Sequence, residues 1–388
     1  MTTPGIWQFR PVSLTPAEQA LREEVRGFLR QELGDRGARR PGMGMASRHS
    51  PEFSRKLAER GWVGMAIPPE YGGHGRTAVE RYLVIEELLA AGAPVSAHWV
   101  ADRQTAPTLL AFGTEEQKRR FLPVIARGEC HFSIGMSERQ SGSDLASVQT
   151  AATRVEGGWQ VRGHKIWTGG AHLNHYFVVL CRTSPHGSDR HEGLSQLIVD
   201  LRAPGLTTRP IRLLNGVHLF NEVYLDGVFV PDDLVLGEVG DGWRQVTSEL
   251  AYERSGPDRF LSSYQLLEAY VRERVGEAPG SDVEEAVGAL GARLAAIRQL
   301  SIAVARSLDE GRAPAVEAAM VKDLGTTFEQ EVVSVLQGLV EEDLDPGAEE
   351  LFESLLAEAV LLSPAYTIRG GTTEVLRTVA ARGLRTAP

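Results

Sequence analysis

The spacing of apolar residues divides the chain into three segments, and the first, residues 1–130, has a helical pattern. A capping box at Thr15–Glu18 puts a proline at the first helical position, and an apolar stripe follows at helical spacing: Leu21, Val25, Phe28 and Leu29. A second capping pattern, Thr114–Gln117, opens another helix. Between the two, the glycines and prolines of residues 61–73 indicate an irregular connection.

The second segment, residues 131–238, carries the signals of β-strands. Two short β-prone runs, Thr153–Val155 and Trp159–Val161, flank the turn sequence Glu-Gly-Gly and predict a hairpin. Further strand candidates follow at Tyr176–Cys181, Gln196–Val199, Thr207–Ile211 and Val223–Val230. Because no helical period interrupts these runs, we expect an antiparallel β domain.

In the third segment, residues 239–388, the pattern returns to helix. The predicted helices are Trp243–Tyr252, Arg259–Val275, Val283–Asp309, Pro314–Val340 and Leu351–Leu362. Long helices joined by short polar links predict a four-helix bundle. The fold class is therefore α+β with three domains: an N-terminal helical domain (1–130), a middle antiparallel β domain (131–238) and a C-terminal helical bundle (239–388).

Composition and charge exclude several classes of function. The 388 residues carry a net charge of −10, whereas a nucleic-acid-binding protein usually has a basic excess. The two cysteines form neither a disulfide framework nor a zinc site, and the histidines have no metal-ligand spacing. Met1–Pro11 lacks the apolar region of a signal peptide, and the apolar runs are too short to span a bilayer. We therefore expect a cytoplasmic protein with no metal and no membrane insertion.

Two candidate motifs lie in the β segment. Phe132–Asp144 is a strand that runs into a glycine- and serine-rich loop, which is either a cradle for a pyrophosphate or a polar turn. Gly163–Ala171 contains Trp167 before small residues, either to stack on a flat ring or to fill the core before a turn. By contrast, Gly73–Ala78 matches a dinucleotide-binding pattern without the required strand, so we interpret it as a turn.

Two further motifs lie in the C-terminal helical segment. Glu253 and Arg254 are adjacent on a predicted helix and so point about 100° apart. Glu253 either faces a pocket or is a solvated surface residue. In Thr367–Arg377, Gly-Gly-Thr opens a helix and offers free N–H groups to an anion, or simply forms a corner between helices.

In this order and at these spacings, the motifs resemble the acyl-CoA dehydrogenase family. The resemblance runs from Pro16 to the C-terminus, and four portions carry it most strongly: Ser137–Ser143, Gly163–Trp167, Phe220–Pro231 and Gly370–Arg377. The family fold consists of an N-terminal helical domain, a middle β-barrel-like domain and a C-terminal four-helix bundle, which agrees with the order of elements inferred above.

The resemblance implies a bound FAD and assigns residues to it. The implied cofactor-binding residues are Ile134, Met136, Ser137, Gly142, Ser143, Trp167, Thr168, Gly169, Thr372 and Glu374. The implied substrate-binding residues are Ser143, Arg254 and Gly370. The sequence departs from the family pattern at one of these positions. The family usually has a hydroxyl-bearing residue two positions after the tryptophan, and this chain has Gly169 there.

The resemblance also implies the reaction, an α,β-desaturation of an acyl thioester on CoA or a carrier protein. A carboxylate removes the α-proton while the β-hydride passes to flavin N5. The family places this base at one of two positions, which here are Gly370 and Glu253; the isovaleryl and long-chain branches use the second. Glu253 is thus the expected base, and a base moved to position 370 in a Glu253→Gly background is expected to recover activity.

Two family signatures are missing, and their absence bears on assembly. An Arg-x-x-x-Phe-Gly signature is replaced near Tyr270–Gly276, and a Gln-x-x-Gly-Gly signature is absent near Leu351–Ser363. Both clasp a neighbour's FAD in the family. We therefore expect a homo- or hetero-oligomer, dimer or tetramer, resembling the bacterial subfamily of paired unlike subunits, with electron-transferring flavoprotein as acceptor. The alternatives are a flavin-poor structural partner subunit and a related flavin oxidase or monooxygenase.

Overall fold

The computed structural model describes residue 9 and residues 11–34, 48–185, 187–274, 280–312, 314–340 and 351–386, with only the backbone for 249–253 and 384–386. Its contacts form two compact units. The helical unit draws on Met1–Ser47, Thr77–Ala93 and Ala251–Pro388, and the sheet unit on Arg48–Arg76 and Pro94–Leu250. Helices of the N-terminal segment thus belong to both units.

The helices follow the predicted order closely. They are α1 (Pro16–Leu33), α2 (Pro51–Glu59), α3 (Ala78–Ala90), α4 (Ser96–Val100), α5 (Ala106–Phe112), α6 (Glu115–Ala126), α7 (Gly242–Glu253), α8 (Tyr264–Glu273), α9 (Ser281–Asp309), α10 (Ala315–Gly338), α11 (Leu351–Leu362) and α12 (Thr373–Thr386). Both predicted capping boxes are present, at Thr15 before α1 and at Thr114 before α6. The glycine pattern at residues 73–78 does not follow a strand: residues 73–76 are an irregular connection that leads to Thr77, the N-cap of α3.

Two helices begin later than predicted. α8 starts at Tyr264 rather than Arg259, because Pro257–Arg259 forms a separate 3₁₀ turn whose side chains are buried. α10 starts at Ala315, and Pro314 is its N-cap. The early turn at Pro257 places Arg259 inside the helical unit instead of on a helix surface.

Buried ion pairs join the helices of the helical unit. Glu87 on α3 accepts hydrogen bonds from Arg22 (2.6 Å) and Arg26 (2.8 Å) on α1. The neighbouring Glu86 binds Arg298 on α9 through both carboxylate oxygens, at 2.7 and 2.8 Å. By length and apolar composition α9 could also cross a membrane, contrary to the sequence expectation. In this unit, however, its C-terminal half packs against α3 through a cluster that includes Ile302 and Ala305.

The sheet unit holds eight strands: β1 (Phe132–Gly135), β2 (Ala151–Val155), β3 (Gly158–Gly169), β4 (Tyr176–Arg182), β5 (Leu194–Asp200), β6 (Leu206–Arg212), β7 (His218–Pro231) and β8 (Val235–Leu236). Their order is β6-β7-β3-β2-β4-β5-β8, and β1 pairs with β4. The predicted hairpin is formed by β2 and β3.

The sheet is not purely antiparallel as predicted, because β1 runs parallel to β4. The β2–β3 hairpin lies between these strands in sequence and provides the crossover that a parallel pair needs. Helix α6 covers this part of the sheet, where the ring of Phe121 lies 5.6 Å from that of Phe132 and 5.2 Å from that of Tyr176. This packing fixes β1, the strand that leads into the glycine- and serine-rich loop.

Candidate active site

The loop after β1 is built around a buried carboxylate, that of Glu138, which is 4% exposed. This carboxylate accepts hydrogen bonds from the backbone N–H groups of Gln149 (2.7 Å) and Thr150 (2.9 Å) and from Nζ of Lys165 (2.8 Å). Burial alone would raise the pKa of Glu138, but the charge of Lys165 and these hydrogen bonds outweigh burial and lower the pKa. Glu138 thus stays ionised and ties the loop to the sheet.

The same contacts bring two predicted motifs together. Lys165, fully buried on β3, also donates to the carbonyl of Met136 at 3.0 Å, and the N–H of Ile166 donates to the carbonyl of Ser137 at 2.9 Å. The loop is thereby fixed beside the strand that carries Trp167. Of the predicted cofactor residues in and before the loop, three are half-buried and two are exposed: Ile134, Met136 and Ser137, and Gly142 and Ser143.

Trp167 lies in a bulge of β3. Around this residue β3 has one more residue than β7 between two paired positions, and the backbone of Trp167 adopts a left-handed φ of 57°. The residue is 54% exposed, with its ring edge-on to Phe220 at 5.9 Å. Bulges of this kind redirect a side chain and are frequent next to active sites. The exposed ring is not the core tryptophan of the alternative interpretation.

Polar side chains fix the backbone next to Trp167 from the buried side. Nδ2 of Asn221 donates to the carbonyl of Thr168 (3.0 Å), and Oγ of Ser133 donates to the carbonyl of Gly169 (2.8 Å). Ser133 in turn is bound by Nδ2 of Asn174 at 2.9 Å. The Thr168 side chain is fully buried, and its hydroxyl finds no hydrogen-bond partner in the part of the chain that the structure describes. A bound group could satisfy it.

In the helical unit, the Gly370–Thr372 turn presents free backbone donors at the start of α12. Gly370 and Gly371 have φ values of 67° and 95°, which favour glycine. No residue that the structure describes accepts a hydrogen bond from the N–H groups of Gly370, Gly371 or Thr372. The N–H of Glu374 and the Thr372 hydroxyl lower the pKa of the Glu374 carboxyl group. The turn thus has the donors expected of an anion- or oxyanion-binding helix start.

A buried basic cluster, formed by Lys322, Arg259 and Arg369, lies beneath this turn. Arg259 pairs with Asp258 (2.9 Å) and Arg369 with Glu329 (2.8 Å), and both acids are at most 1% exposed. Lys322 is fully buried on α10. Burial, together with the charges of the two arginines, lowers the pKa of Lys322 to about 7. Among the three cations of the cluster, Lys322 is the one that makes no ion pair at contact distance with a described residue.

Arg259 also closes the first of the two family positions for the base. A Cβ atom placed on Gly370 would lie 2.8 Å from a guanidinium nitrogen of Arg259, and the left-handed φ would strain any side chain there. A side chain at position 370 would therefore require the Arg259 guanidinium to shift, in addition to a strained backbone. This finding reverses the expectation that a glutamate introduced at residue 370 could act as base, because its carboxylate would meet the guanidinium.

The structure brings together four of the residues predicted in the helical segment. Gly370, Thr372 and Glu374 share the turn before α12, and a guanidinium nitrogen of Arg254 lies 3.7 Å from a Cβ placed on Gly371. Glu253 is the last residue of α7, and its side chain lies outside the described part of the structure. The role of each predicted site residue stays a prediction.

Sequence reasoning missed the residues that support both motifs. Glu138 and Lys165 lie 27 positions apart, and Lys322 lies 49 positions from Gly371. Neither pair has a local spacing that signals contact. Lys165 is the only lysine of β3 and Lys322 the only lysine of α10, and a lysine is almost never fully buried unless it is paired, but neither sequence pattern indicates the burial.

Comparison with known proteins shows the family of this chain. Sequence models of the acyl-CoA dehydrogenase N-terminal, middle and C-terminal domains match residues 15–129, 133–228 and 240–385. Acyl-CoA dehydrogenase FadE29 of Mycobacterium tuberculosis is 34% identical over 96% of this chain and 98% of its own. FadE34 of the same organism is also 34% identical over 99% of this chain, which spans about half (53%) of its length.

Solved structures give the same result. The complex described as the Tcur3481-Tcur3483 steroid ACAD superposes with a TM-score of 0.85 at 30% identity, covering 97% of this chain and 99% of its own. The ChsE4-ChsE5 complex of Mycobacterium tuberculosis superposes with a TM-score of 0.82 at 28% identity, covering 98% and 99%. The chain therefore belongs to the acyl-CoA dehydrogenase family, whose members are FAD-dependent flavoproteins that oxidise acyl-CoA thioesters.

Proposed function

We propose that this chain desaturates an acyl-CoA thioester between Cα and Cβ, with Glu253 as the base that removes the α-proton. The observation that carries this assignment is the closure of position 370 by Arg259. The family has two positions for its base, and at residue 370 even the Cβ atom of a side chain would lie 2.8 Å from a guanidinium nitrogen of Arg259, on a strained backbone. Glu253 is the carboxylate at the other position, and it is the last residue of α7, directly before Arg254.

The α-proton of a thioester becomes acidic enough for a carboxylate when the thioester oxygen accepts hydrogen bonds. The Gly370–Thr372 turn supplies suitable donors, because its N–H groups have no acceptor in the described part of the chain. The helical unit is thus proposed to supply the base and the polarising donors.

The residues of the sheet unit fit a flavin. The exposed ring of Trp167 offers a flat apolar surface, and the buried Thr168 hydroxyl lacks a partner that a cofactor atom could provide. We propose that Ser137, Gly142 and Trp167–Gly169 are the cofactor-binding residues of this unit and that Thr372 and Glu374 are those of the helical unit. Bound FAD supplies the acceptor for the β-hydride.

The substrate is proposed to be the CoA thioester of a bulky acyl chain. One structural relative at 30% identity is described as a steroid ACAD, and the relatives cited above are named acyl-CoA dehydrogenases. A steroid side chain is the first candidate for the acyl group. Electron-transferring flavoprotein is the proposed electron acceptor.

The chain is proposed to work with an unlike subunit of the same family. The regions that lack the two FAD-clasping signatures are bound to each other in this chain: Glu273 accepts a hydrogen bond from the N–H of Phe352 (3.0 Å), and Arg274 pairs with Glu353. Arg274 is therefore engaged within its own chain rather than extended toward a neighbour's pyrophosphate. Two structural relatives are likewise described as pairs of different proteins.

A second candidate function is that of a flavin-poor partner subunit. Gly169 in place of the usual hydroxyl and the in-chain engagement of Arg274 favour it. It predicts that a heteromer of this chain contains no flavin bound to the Trp167 motif. Under this alternative, replacing Trp167 or Glu253 would leave the activity of the complex unchanged.

Incubation of the purified protein with a panel of acyl-CoA thioesters and an electron acceptor tests the function. We expect a yellow protein and an α,β-unsaturated acyl-CoA product, without stoichiometric hydrogen peroxide. Peroxide formed in step with product would indicate an oxidase, and a hydroxylated product would indicate a monooxygenase. A protein that stays colourless with FAD, alone and with a family partner, would contradict the proposal.

Native mass spectrometry tests the assembly. We expect weak FAD retention by the chain alone and tight retention when a second acyl-CoA dehydrogenase-family chain from the same organism is co-expressed. A homotetramer that holds four FAD molecules tightly would contradict the heteromeric arrangement, although not the catalytic assignment.

A further inference from the structure

Lys322 has no role in the chemistry proposed above, yet it binds the turn that carries the polarising donors. Its Nζ donates to the carbonyl of Gly371 at 2.6 Å and to the carbonyl of Thr367 at 3.3 Å. The side chain is fully buried. A lysine in such a place costs free energy of desolvation, and this one is not neutralised by an ion pair at contact distance in the described residues.

The bond to Gly371 fixes the direction of a neighbouring donor. In a trans peptide unit the C=O and the following N–H lie in one plane and point in opposite directions. Because Lys322 holds the Gly371 carbonyl, the N–H of Thr372 in the same peptide unit points away from Lys322. That N–H has no acceptor among the described residues, so it is available to a ligand.

The charge of Lys322 also strengthens this donor. A cation bound to a peptide oxygen withdraws electron density from the amide and makes its N–H a better hydrogen-bond donor. Several charged groups face Lys322 and set how firmly it keeps its proton: Asp323 and Glu329 on α10, Arg259 before α8, Arg369 in the turn and Glu374 on α12. The two arginines disfavour the ammonium ion, and the three acids favour it.

We propose that Lys322 is a positioning residue: it orients and polarises the Gly371–Thr372 peptide so that the N–H of Thr372 donates to an oxygen atom of the cofactor or of the acyl thioester. This inference rests on the proposed function of the Gly370–Thr372 turn. The two sources of the oxygen share one chemistry, that of a hydrogen-bond acceptor that is anionic or becomes so during the reaction.

The test compares the wild-type chain with Lys322→Met, which keeps the length of the side chain and removes the charge and the donors. Lys322→Arg keeps the charge. Leu336→Ala, which removes a fully buried side chain from the same helix, is the control for a mere loss of stability. FAD-free protein, with its partner subunit where one copurifies, is titrated with FAD, and the kcat and KM of the desaturation are then measured.

Lys322→Met is expected to lower either the FAD affinity or the kcat about tenfold, because the substitution weakens one charge-assisted hydrogen bond. A loss of FAD affinity assigns the oxygen to the cofactor; a loss of kcat with unchanged FAD affinity assigns it to the thioester. Lys322→Arg is expected to recover part of the loss. Leu336→Ala is expected to lower thermal stability without either effect.

The pH dependence of FAD affinity and kcat provides a second test. Because the pKa of Lys322 is about 7, either the FAD affinity or the kcat of the wild-type protein, whichever depends on this donor, should fall as pH rises through 7. This decrease with pH should be absent in Lys322→Met. Unchanged FAD affinity, kcat and pH profile in Lys322→Met, in a wild-type protein that binds FAD and is active, would overturn this inference alone. A wild-type protein that binds no FAD would overturn the proposed function as well.

Discussion

A glutamate at position 370 should not replace Glu253, and the structure gives the reason. Gly370 has a φ of 67°, and a Cβ there would lie 2.8 Å from a guanidinium nitrogen of Arg259. Arg259 is fully buried and paired with Asp258, so it cannot move aside without breaking that pair. We predict that Gly370→Glu in a Glu253→Gly background recovers no activity.

The cost of this substitution follows from two terms. A residue with a side chain in the left-handed region costs about 1–3 kcal/mol. Breaking a buried ion pair costs about 3–5 kcal/mol. Together these are comparable to the whole stability of many proteins, about 5–15 kcal/mol. A carboxylate that instead pairs with Arg259 would have a lowered pKa and would be a poor base.

The assay measures desaturation and the free energy of unfolding for Gly370→Glu in two backgrounds, with and without Arg259→Ala. Gly370→Ala is the matched control, since it introduces the same φ strain without a carboxylate. We expect the cost of Gly370→Glu to be smaller when Arg259→Ala is also present, because the collision is then removed. Equal costs in both backgrounds, or activity restored in the Glu253→Gly background with Arg259 intact, would refute the reasoning.

Three further predictions concern Trp167 and the two buried residues Glu138 and Lys322, which support the candidate site. Glu138→Gln leaves Lys165 buried without its counter-ion and should lower the free energy of unfolding by about 3–5 kcal/mol at neutral pH. Because the folded-state pKa of Glu138 is lowered, this deficit should shrink as pH falls below the ordinary value of 4.5, as denaturation at several pH values will show. Trp167→Ala should change the free energy of unfolding by less than about 1 kcal/mol, because the residue is more than half exposed. The same substitution should weaken FAD binding about three- to tenfold, measured by titration, and an unchanged affinity would count against the stacking role. The folded-state pKa of Lys322, about 7, lies below the ordinary value of 10.5, so the unfolded chain binds more protons than the folded chain between these pH values. The free energy of unfolding of wild type should therefore rise relative to that of Lys322→Met by about 1 kcal/mol per pH unit from pH 7 to 10. A difference between the two proteins that does not change with pH would contradict the buried charge.

The parts of the fold that the sequence predicted are those set by local interactions. The capping boxes at Thr15 and Thr114 need only residues three positions apart, and the β2–β3 hairpin needs only its turn. The parallel pairing of β1 with β4 depends instead on residues about 44 positions apart, and no local pattern encodes it. The delayed start of α8 follows from the burial of Arg259, which is a consequence of tertiary packing.

In the candidate site, too, the sequence predicted the local features but not the contacts between distant residues. The motifs themselves were visible in the sequence, because each combines small residues with polar ones at a strand or helix end. Their supports, Glu138 with Lys165 and Lys322 with Gly371, were not visible, because each contact joins distant parts of the chain. The exposed orientation of Trp167 depends on a bulge whose partner strand lies more than 50 residues away.

The central claim is that Glu253 removes the α-proton of a CoA thioester bound by this flavoprotein. The most direct test is the anaerobic bleaching of bound flavin after mixing with an acyl-CoA substrate, measured in one turnover for wild type, Glu253→Gln and the exposed-site control Glu238→Gln at matched FAD content. We predict that Glu253→Gln bleaches about 10²- to 10⁴-fold more slowly, with Glu238→Gln like wild type. Bleaching of Glu253→Gln at the wild-type rate would contradict the assignment.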